Sequence, residues 1–281
     1  MTWWCAARGL PWIWQWQAFP GVWLLVGAIG LAYVWALRRL PPGRFAGDDR
    51  PTTRREIALF CLGLLALWVA ADWPVGLLAA GYLLSARTVQ YLLFVLVAPP
   101  LMLLGMPRWL LRRMTRPRAA FRLARLASRP LLPLVIYNVV LVAMHLPPVV
   151  VGVAGSQLGS FGLDAAAILS GFVFWWPALA RLPELGPMGY PGRIGYLLLS
   201  VFVPTVPAAF FTYSRYPIYG LYELAPRVGH IGAVLDQQLA GLIMKTVGGV
   251  ILFTTMSVMF FRWHRMEGAV EQPPTRPAAP A

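Results

Sequence analysis

Residues 57–104 read IALFCLGLLALWVAADWPVGLLAAGYLLSARTVQYLLFVLVAPPLMLL, and only Asp72 and Arg87 carry charge among them. As one straight helix this stretch would be about 72 Å long at 1.5 Å per residue, more than twice the ~30 Å apolar core of a bilayer. It must therefore fold back. The one break near its middle is Asp72-Trp73-Pro74-Val75-Gly76. The spacing predicts two membrane crossings, at 57–71 and 77–98, the second ended by Pro99-Pro100.

The rest of the chain repeats this pattern. Of 281 residues, 59% are apolar and 12% charged, about half the charge of an ordinary soluble domain. That composition excludes a disordered chain, a secreted disulfide scaffold and an ordinary water-soluble enzyme. Further crossings are expected at 19–37, 131–146, 163–180, 194–213 and 231–261. Pro204 and Pro207 predict a kink in the sixth. The expected fold is all-α: a polytopic membrane bundle of seven transmembrane helices. Residues 1–18, with five tryptophans, are expected at the membrane interface. The seven-helix domain follows over 19–262, and 263–281 is a Pro/Ala-rich tail expected to be disordered.

The net charge of +14 comes from 23 arginines and one lysine against ten acids. Six arginines fall in 38–56 and eight in 107–130, where no acid occurs. Counted by loop, nineteen arginines lie on one side of the expected bundle and three on the other. This is the positive-inside pattern, with the N-terminus outside and the C-terminus cytoplasmic. The basic hairpins then face a bilayer with an anionic inner leaflet, not nucleic acid.

Cys5 and Cys61 are the only cysteines, too few for a disulfide framework or thiolate metal site within one chain. No G-x-S-x-G, H-E-x-x-H, phosphate loop or G-x-G-x-x-G occurs, so no enzyme class is indicated. Polar side chains inside the crossings are the site candidates, because they are costly there. Arg87 lies ten residues into the third crossing, with Gln90 nearby and Tyr91 one turn further on. Lys245 lies nine residues inward from Asp236 and shares a face with Gln238. Both cations are expected at similar depth in the outer half. The competing reading is that each snorkels to the surface. Asp236-Gln237-Gln238 opens the seventh helix, where the acid serves either as a cap or as part of a site. His145 ends the fourth crossing, and with Met144 it is the weak candidate for a metal ligand.

Several stretches resemble the CtaG family of cytochrome c oxidase assembly factors, the multi-pass type associated with caa3 oxidases. They are Leu84-Ser85-Ala86-Arg87-Thr88-Val89-Gln90-Tyr91-Leu92-Leu93, Val97-Ala98-Pro99-Pro100-Leu101 with Gly105-Met106-Pro107, and His145-Leu146-Pro147. Phe174-Trp175-Trp176-Pro177, Tyr216-Pro217-Ile218-Tyr219 and Asp236-Gln237-Gln238-Leu239-Ala240-Gly241-Leu242-Ile243-Met244 complete the set. The resemblance implies a non-enzymatic helper in a bacterial plasma membrane. It also implies oxidase subunits as partners and copper as a cofactor handled on the outer side.

Two departures bear on copper. Where the family's third helix reads S-x-H-M-x-x-H, this chain has Arg87 and Tyr91. Where the family has tryptophan after Gly-Leu-Ile-Met, it has Lys245. Arginine has no lone pair to give a metal. The expectation is electrostatic replacement: Arg87 and Lys245 occupy the place of a bound cation, faced by Asp236 and His145. The alternative function is a small-solute, ion or proton transporter using an Arg87/Lys245 site.

Overall fold

The structure is a computed structural model describing residues 2–7, 9–40, 50–179, 181–186 and 188–270. Among these residues every regular element is helical. In chain order the helices are α1 (Pro20–Arg39), α2 (Arg54–Ala71), α3 (Val75–Gly81), α4 (Leu84–Leu92), α5 (Ala98–Gly105), α6 (Arg108–Met114) and α7 (Arg118–Ala127). Then come α8 (Leu131–Met144), α9 (Pro147–Val153), α10 (Gln157–Leu179), α11 (Tyr190–Leu199), α12 (Phe202–Tyr213), α13 (Gly220–Glu223) and α14 (Ala233–Val270).

Five helical stretches are long and apolar enough to cross a membrane: Pro20–Arg39, Leu84–Gly105, Gln157–Leu179, Tyr190–Tyr213 and Ala233–Glu267. Two bent pairs bring the number to seven: α2 with α3, bent by 44°, and α7 with α8, bent by 78°, in which α8 carries the crossing and α7 turns away from it. The number agrees with the seven expected crossings, but the join between the second and third does not: after the 44° bend at Asp72-Trp73-Pro74, α3 continues the second span instead of opening the third, which starts at Leu84 and not at 77. The chain is a helical membrane protein. Its outer surface carries leucines, valines and phenylalanines, such as Leu24, Leu131 and Phe202, all more than half exposed. That is the surface a bilayer solvates.

The third span does not stop at Pro99-Pro100. It continues to Gly105 through one π-helical turn, Leu93–Val97, in which the Ala98 N–H bonds the Leu93 carbonyl. Proline has no N–H, so Pro99 leaves the Val95 carbonyl without its usual helical donor. The indole N–H of Trp175, on α10, donates to that carbonyl at 2.9 Å. Both prolines then sit in the first turn of α5, where their fixed φ suits the helix. Gly171 lets α10 approach this turn, since a Cβ there would lie 2.8 Å from Pro99 and 2.9 Å from Val95.

Three other boundaries differ from expectation. The sixth span breaks at Ser200–Val201, between α11 and α12, one turn before Pro204, because a proline ring crowds the carbonyl four residues earlier. The fifth span starts at Gln157 and not at 163, so Asp164 lies two turns inside the helix. Helix α14 runs to Val270, past the expected end at 261, carrying Arg262, His264 and Arg265 on a continuous helix. The rest of the expected tail, 271–281, lies outside the described residues.

The opening segment also behaves differently in part. Trp14 and Trp16 are exposed, as an interfacial belt requires, but Trp4, Cys5 and Ala6 are buried. Gln157 fixes this segment by accepting from the backbone N–H of Trp3 at 2.8 Å and of Trp4 at 3.3 Å. Asp72, at the α2–α3 turn, is 2% exposed and accepts from the Trp23 indole at 2.9 Å.

Candidate functional site

The buried polar groups gather around the start of α4. Arg87, one turn into that helix, donates from Nη1 to Asp164 Oδ1 of α10 at 2.6 Å and to Gln90 Oε1 at 2.5 Å. The second Asp164 oxygen accepts from the Trp4 indole at 3.0 Å. Gln90 passes the network on, donating from Nε2 to the Ala70 carbonyl of α2 at 3.0 Å. The Asp164 side chain is 2% exposed and that of Arg87 19%. A buried charge pair persists only when its remaining polar sites are satisfied, and here each carboxylate oxygen has a donor.

Asp236 does a different job from the one expected. It lies in the first turn of α14, yet its carboxylate sits at the start of α4. Oδ2 accepts from the Leu84 N–H at 2.6 Å and Oδ1 from the Ser85 N–H at 3.2 Å. The Ser85 hydroxyl also donates to Oδ1. The first N–H groups of a helix have no partner within it. An acid from a neighbouring helix supplies one here, at the positive end of the α4 dipole. Asp236 is thus a cap, but of α4 and not of its own helix. Gln237, also buried, accepts from the Ile218 N–H at 2.8 Å and donates to the Tyr216 carbonyl at 3.3 Å, fixing the Tyr216–Tyr219 turn. Gln238 is half-buried.

A cavity of about 20 Å³ lies beside Arg87, lined by Thr88, Tyr91, Met144, His145, Tyr219 and Tyr222 among others. That is space for about one water molecule. The His145 ring meets Tyr91 edge-on with 5.6 Å between centroids, and its Nδ1 lies 2.7 Å from the Leu141 carbonyl. Tyr219 donates to the His145 carbonyl at 2.8 Å, and Tyr222 to the Ala79 carbonyl at 2.8 Å. With Nδ1 engaged, Nε2 of His145 and the Met144 sulfur are the two donors left for a metal. The other polar groups at the cavity are the hydroxyls of Thr88, Tyr91, Tyr219 and Tyr222, hard neutral oxygens that do not favour Cu(I), and the Arg87 guanidinium, a fixed cation with no lone pair. Among the described residues no group of three or more His, Cys, Asp or Glu side chains is placed to hold a metal ion. This donor set does not fit copper.

Lys245 is not part of this cluster. It is exposed, and its ammonium donates to the Thr205 hydroxyl of α12 at 2.8 Å. It lines a separate crevice of about 30 Å³ with Tyr91, Leu92, Leu96 and Tyr137. Of those neighbours, Tyr91 and Leu92 lie further along α4 than Arg87 and Leu96 lies beyond its end, so the two cations do not share a depth. The expected facing of Lys245 and Asp236 is replaced by two separate contacts. The transporter reading, built on one Arg87/Lys245 site, has no geometric basis.

Sequence reasoning missed Asp164, the counter-ion of Arg87, and Trp4, which helps hold it. The signal was available: Asp164 is the one charged residue within Gln157–Leu179. A crossing expected from 163 puts Asp164 in its first turn, where an acid is ordinary.

With this geometry in hand, comparison with known proteins gives one match. The family model described as cytochrome c oxidase caa3 assembly factor (Caa3_CtaG) matches residues 31–266. No curated protein and no solved structure matches the chain.

Proposed function

Because the chain belongs to the cytochrome c oxidase caa3 assembly factor family, we propose that it helps an oxidase subunit mature by contact within the membrane, catalysing no reaction and carrying no metal of its own. The match extends over nearly all the described helices, and the segments that gave the resemblance hold the bundle together. Trp175 serves the Pro99 turn, Gln237 the Tyr216–Tyr219 turn, and Asp236 the start of α4.

The observation that carries the metal-free part is the Arg87–Asp164 pair. A cation covalently part of the protein occupies the polar core, and its carboxylate partner is already neutralised. A copper ion beside Arg87 would meet like charge in a low-dielectric interior. The core is then a structural lock that shapes the surface offered to the oxidase. The proposed setting is a bacterial plasma membrane with the N-terminus outside and the arginine-rich hairpins in the cytoplasm, supported by the charge asymmetry of the loops.

The test is deletion in the native host, followed by haem spectra, oxidase activity and copper content of isolated membranes. Loss of oxidase activity, restored by the wild-type chain, is expected. Normal oxidase with full copper content overturns the assembly role. Stoichiometric copper in the purified protein overturns the metal-free part alone.

A further inference from the structure

We propose that the cleft between α7, α8 and α10 is a binding site for an anionic phospholipid, with one acyl chain in the cleft and the phosphate on the arginines of α7. This is independent of the role in oxidase assembly.

Helix α7 has two unlike faces. Arg118, Arg122 and Arg125 follow the spacing i, i+4, i+7 and so share one side. All three are exposed. Leu123 and Leu126 lie on the neighbouring side, 67% and 43% exposed. The helix makes a 78° angle with α8, so when α8 crosses the bilayer α7 lies almost in its plane. An amphipathic helix so placed keeps its arginines at headgroup level and its leucines among the acyl chains.

The cleft behind it is an open hollow of about 370 Å³, lined by Leu126, Leu132, Ile136, Phe172, Val173 and Trp176 among others. Its volume falls within the ~300–1,000 Å³ of ligand sites. Its polar groups are already used: the Trp176 indole donates to the Ala124 carbonyl at 3.2 Å and the Ser128 hydroxyl at 3.1 Å. The same two bonds hold α7 against α10, so the walls are fixed. The lining therefore asks for hydrocarbon. Among the described residues no arginine lines the cleft, but Arg122 stands one turn before the lining Leu126, with Arg118 and Arg125 further round the helix; with no acid anywhere in 107–130, this charge asks for a negative headgroup. A diacyl phosphatidylglycerol satisfies both requirements; a zwitterionic lipid satisfies one.

The test uses the full-length protein reconstituted in nanodiscs containing trace phosphatidylglycerol or phosphatidylcholine with a photoactivatable acyl chain. Adducts are mapped by mass spectrometry. The expected result is labelling of 132–136 and 172–176 by the phosphatidylglycerol probe, suppressed by excess unlabelled phosphatidylglycerol but not by phosphatidylcholine. Arg122→Gln with Arg125→Gln should lower this labelling, by roughly fivefold per arginine removed. Ile136→Trp should lower it with the arginines intact. Equal labelling by both probes, or labelling unchanged in the arginine variant, shows only general lipid contact and overturns the proposal. Arginine dependence with no effect of Ile136→Trp overturns the acyl-chain part. Both variants alter surface residues, and size exclusion confirms that each is folded.

Discussion

Arg87 and Asp164 stand 77 residues apart in the chain and meet at 2.6 Å inside the bundle, tying α4 to α10. Removing either partner leaves the other charged and buried. Asp164→Asn and Arg87→Met are each expected to destabilise the protein by roughly 3–5 kcal/mol. The double variant Arg87→Met with Asp164→Asn should recover much of that loss, since no charge is then stranded. Unfolding midpoints in detergent measure all three. Additive losses in the double variant would show that the pair does not act as a unit.

A second prediction separates two residues that the sequence suggested belong together. Asp236→Ala should cost roughly 1–3 kcal/mol, because the first N–H groups of α4 are left without an acceptor. Lys245→Met should change stability by less than about 0.5 kcal/mol, as expected for an exposed cation with one hydroxyl partner. The double-mutant cycle on this pair should give a coupling within about 0.5 kcal/mol of zero. A clearly favourable coupling would place Lys245 against Asp236 after all.

Acid sensitivity should reach the arginine-rich side through Glu184. Its carboxylate accepts from Arg112 Nε at 2.7 Å. Partial burial pushes its pKa up, but the Arg112 and backbone hydrogen bonds and the charges of Arg112 and Arg108 outweigh this and hold it below the ordinary glutamate value. The folded value thus lies below the unfolded one. The pair's contribution is complete above the unfolded value of about 4.3 and is lost as the pH falls through the folded value. Comparing unfolding midpoints of wild type and Glu184→Gln from pH 7 to pH 3 checks this. Their difference should be constant down to about pH 5 and close below about pH 4.

Orientation is checked by proteolysis. In right-side-out vesicles, 107–130 should resist trypsin despite its eight arginines, and should be cut once the vesicles are opened. Cleavage in intact vesicles would invert the topology.

The number of spans was legible because each needs its own apolar run, and the arginine counts needed only the loops between them; the join of the second and third was not, because Asp72-Trp73-Pro74 reads as a turn and only bends the second span by 44°. What the sequence hid were relationships between spans. Pro99-Pro100 looked like an ending because proline cannot continue an isolated helix. Trp175, 80 residues away from Val95, supplies the donor that the helix lacks there. Asp236 reads locally as a cap for α14, and only the packing of α14 on α4 redirects it to Leu84 and Ser85. Lys245 was paired with Arg87 by motif position, but the helix turns it outward to Thr205. Asp164 was visible yet unassigned, because its importance depends on which helix Arg87 faces.

The bond from Trp4 to Asp164 spans 160 residues. At about 5–20 residues per second, a ribosome needs roughly ten to thirty seconds to travel that far. The Gly21 N–H bond to the Trp3 carbonyl and the Cys5 contact with the Ala71 carbonyl can form as soon as the first two spans exist, but the indole bond of Trp4 must wait until the fifth crossing has been made. The polar core around Arg87 is therefore completed late, when α10 brings Asp164 to both the indole of Trp4 and the guanidinium.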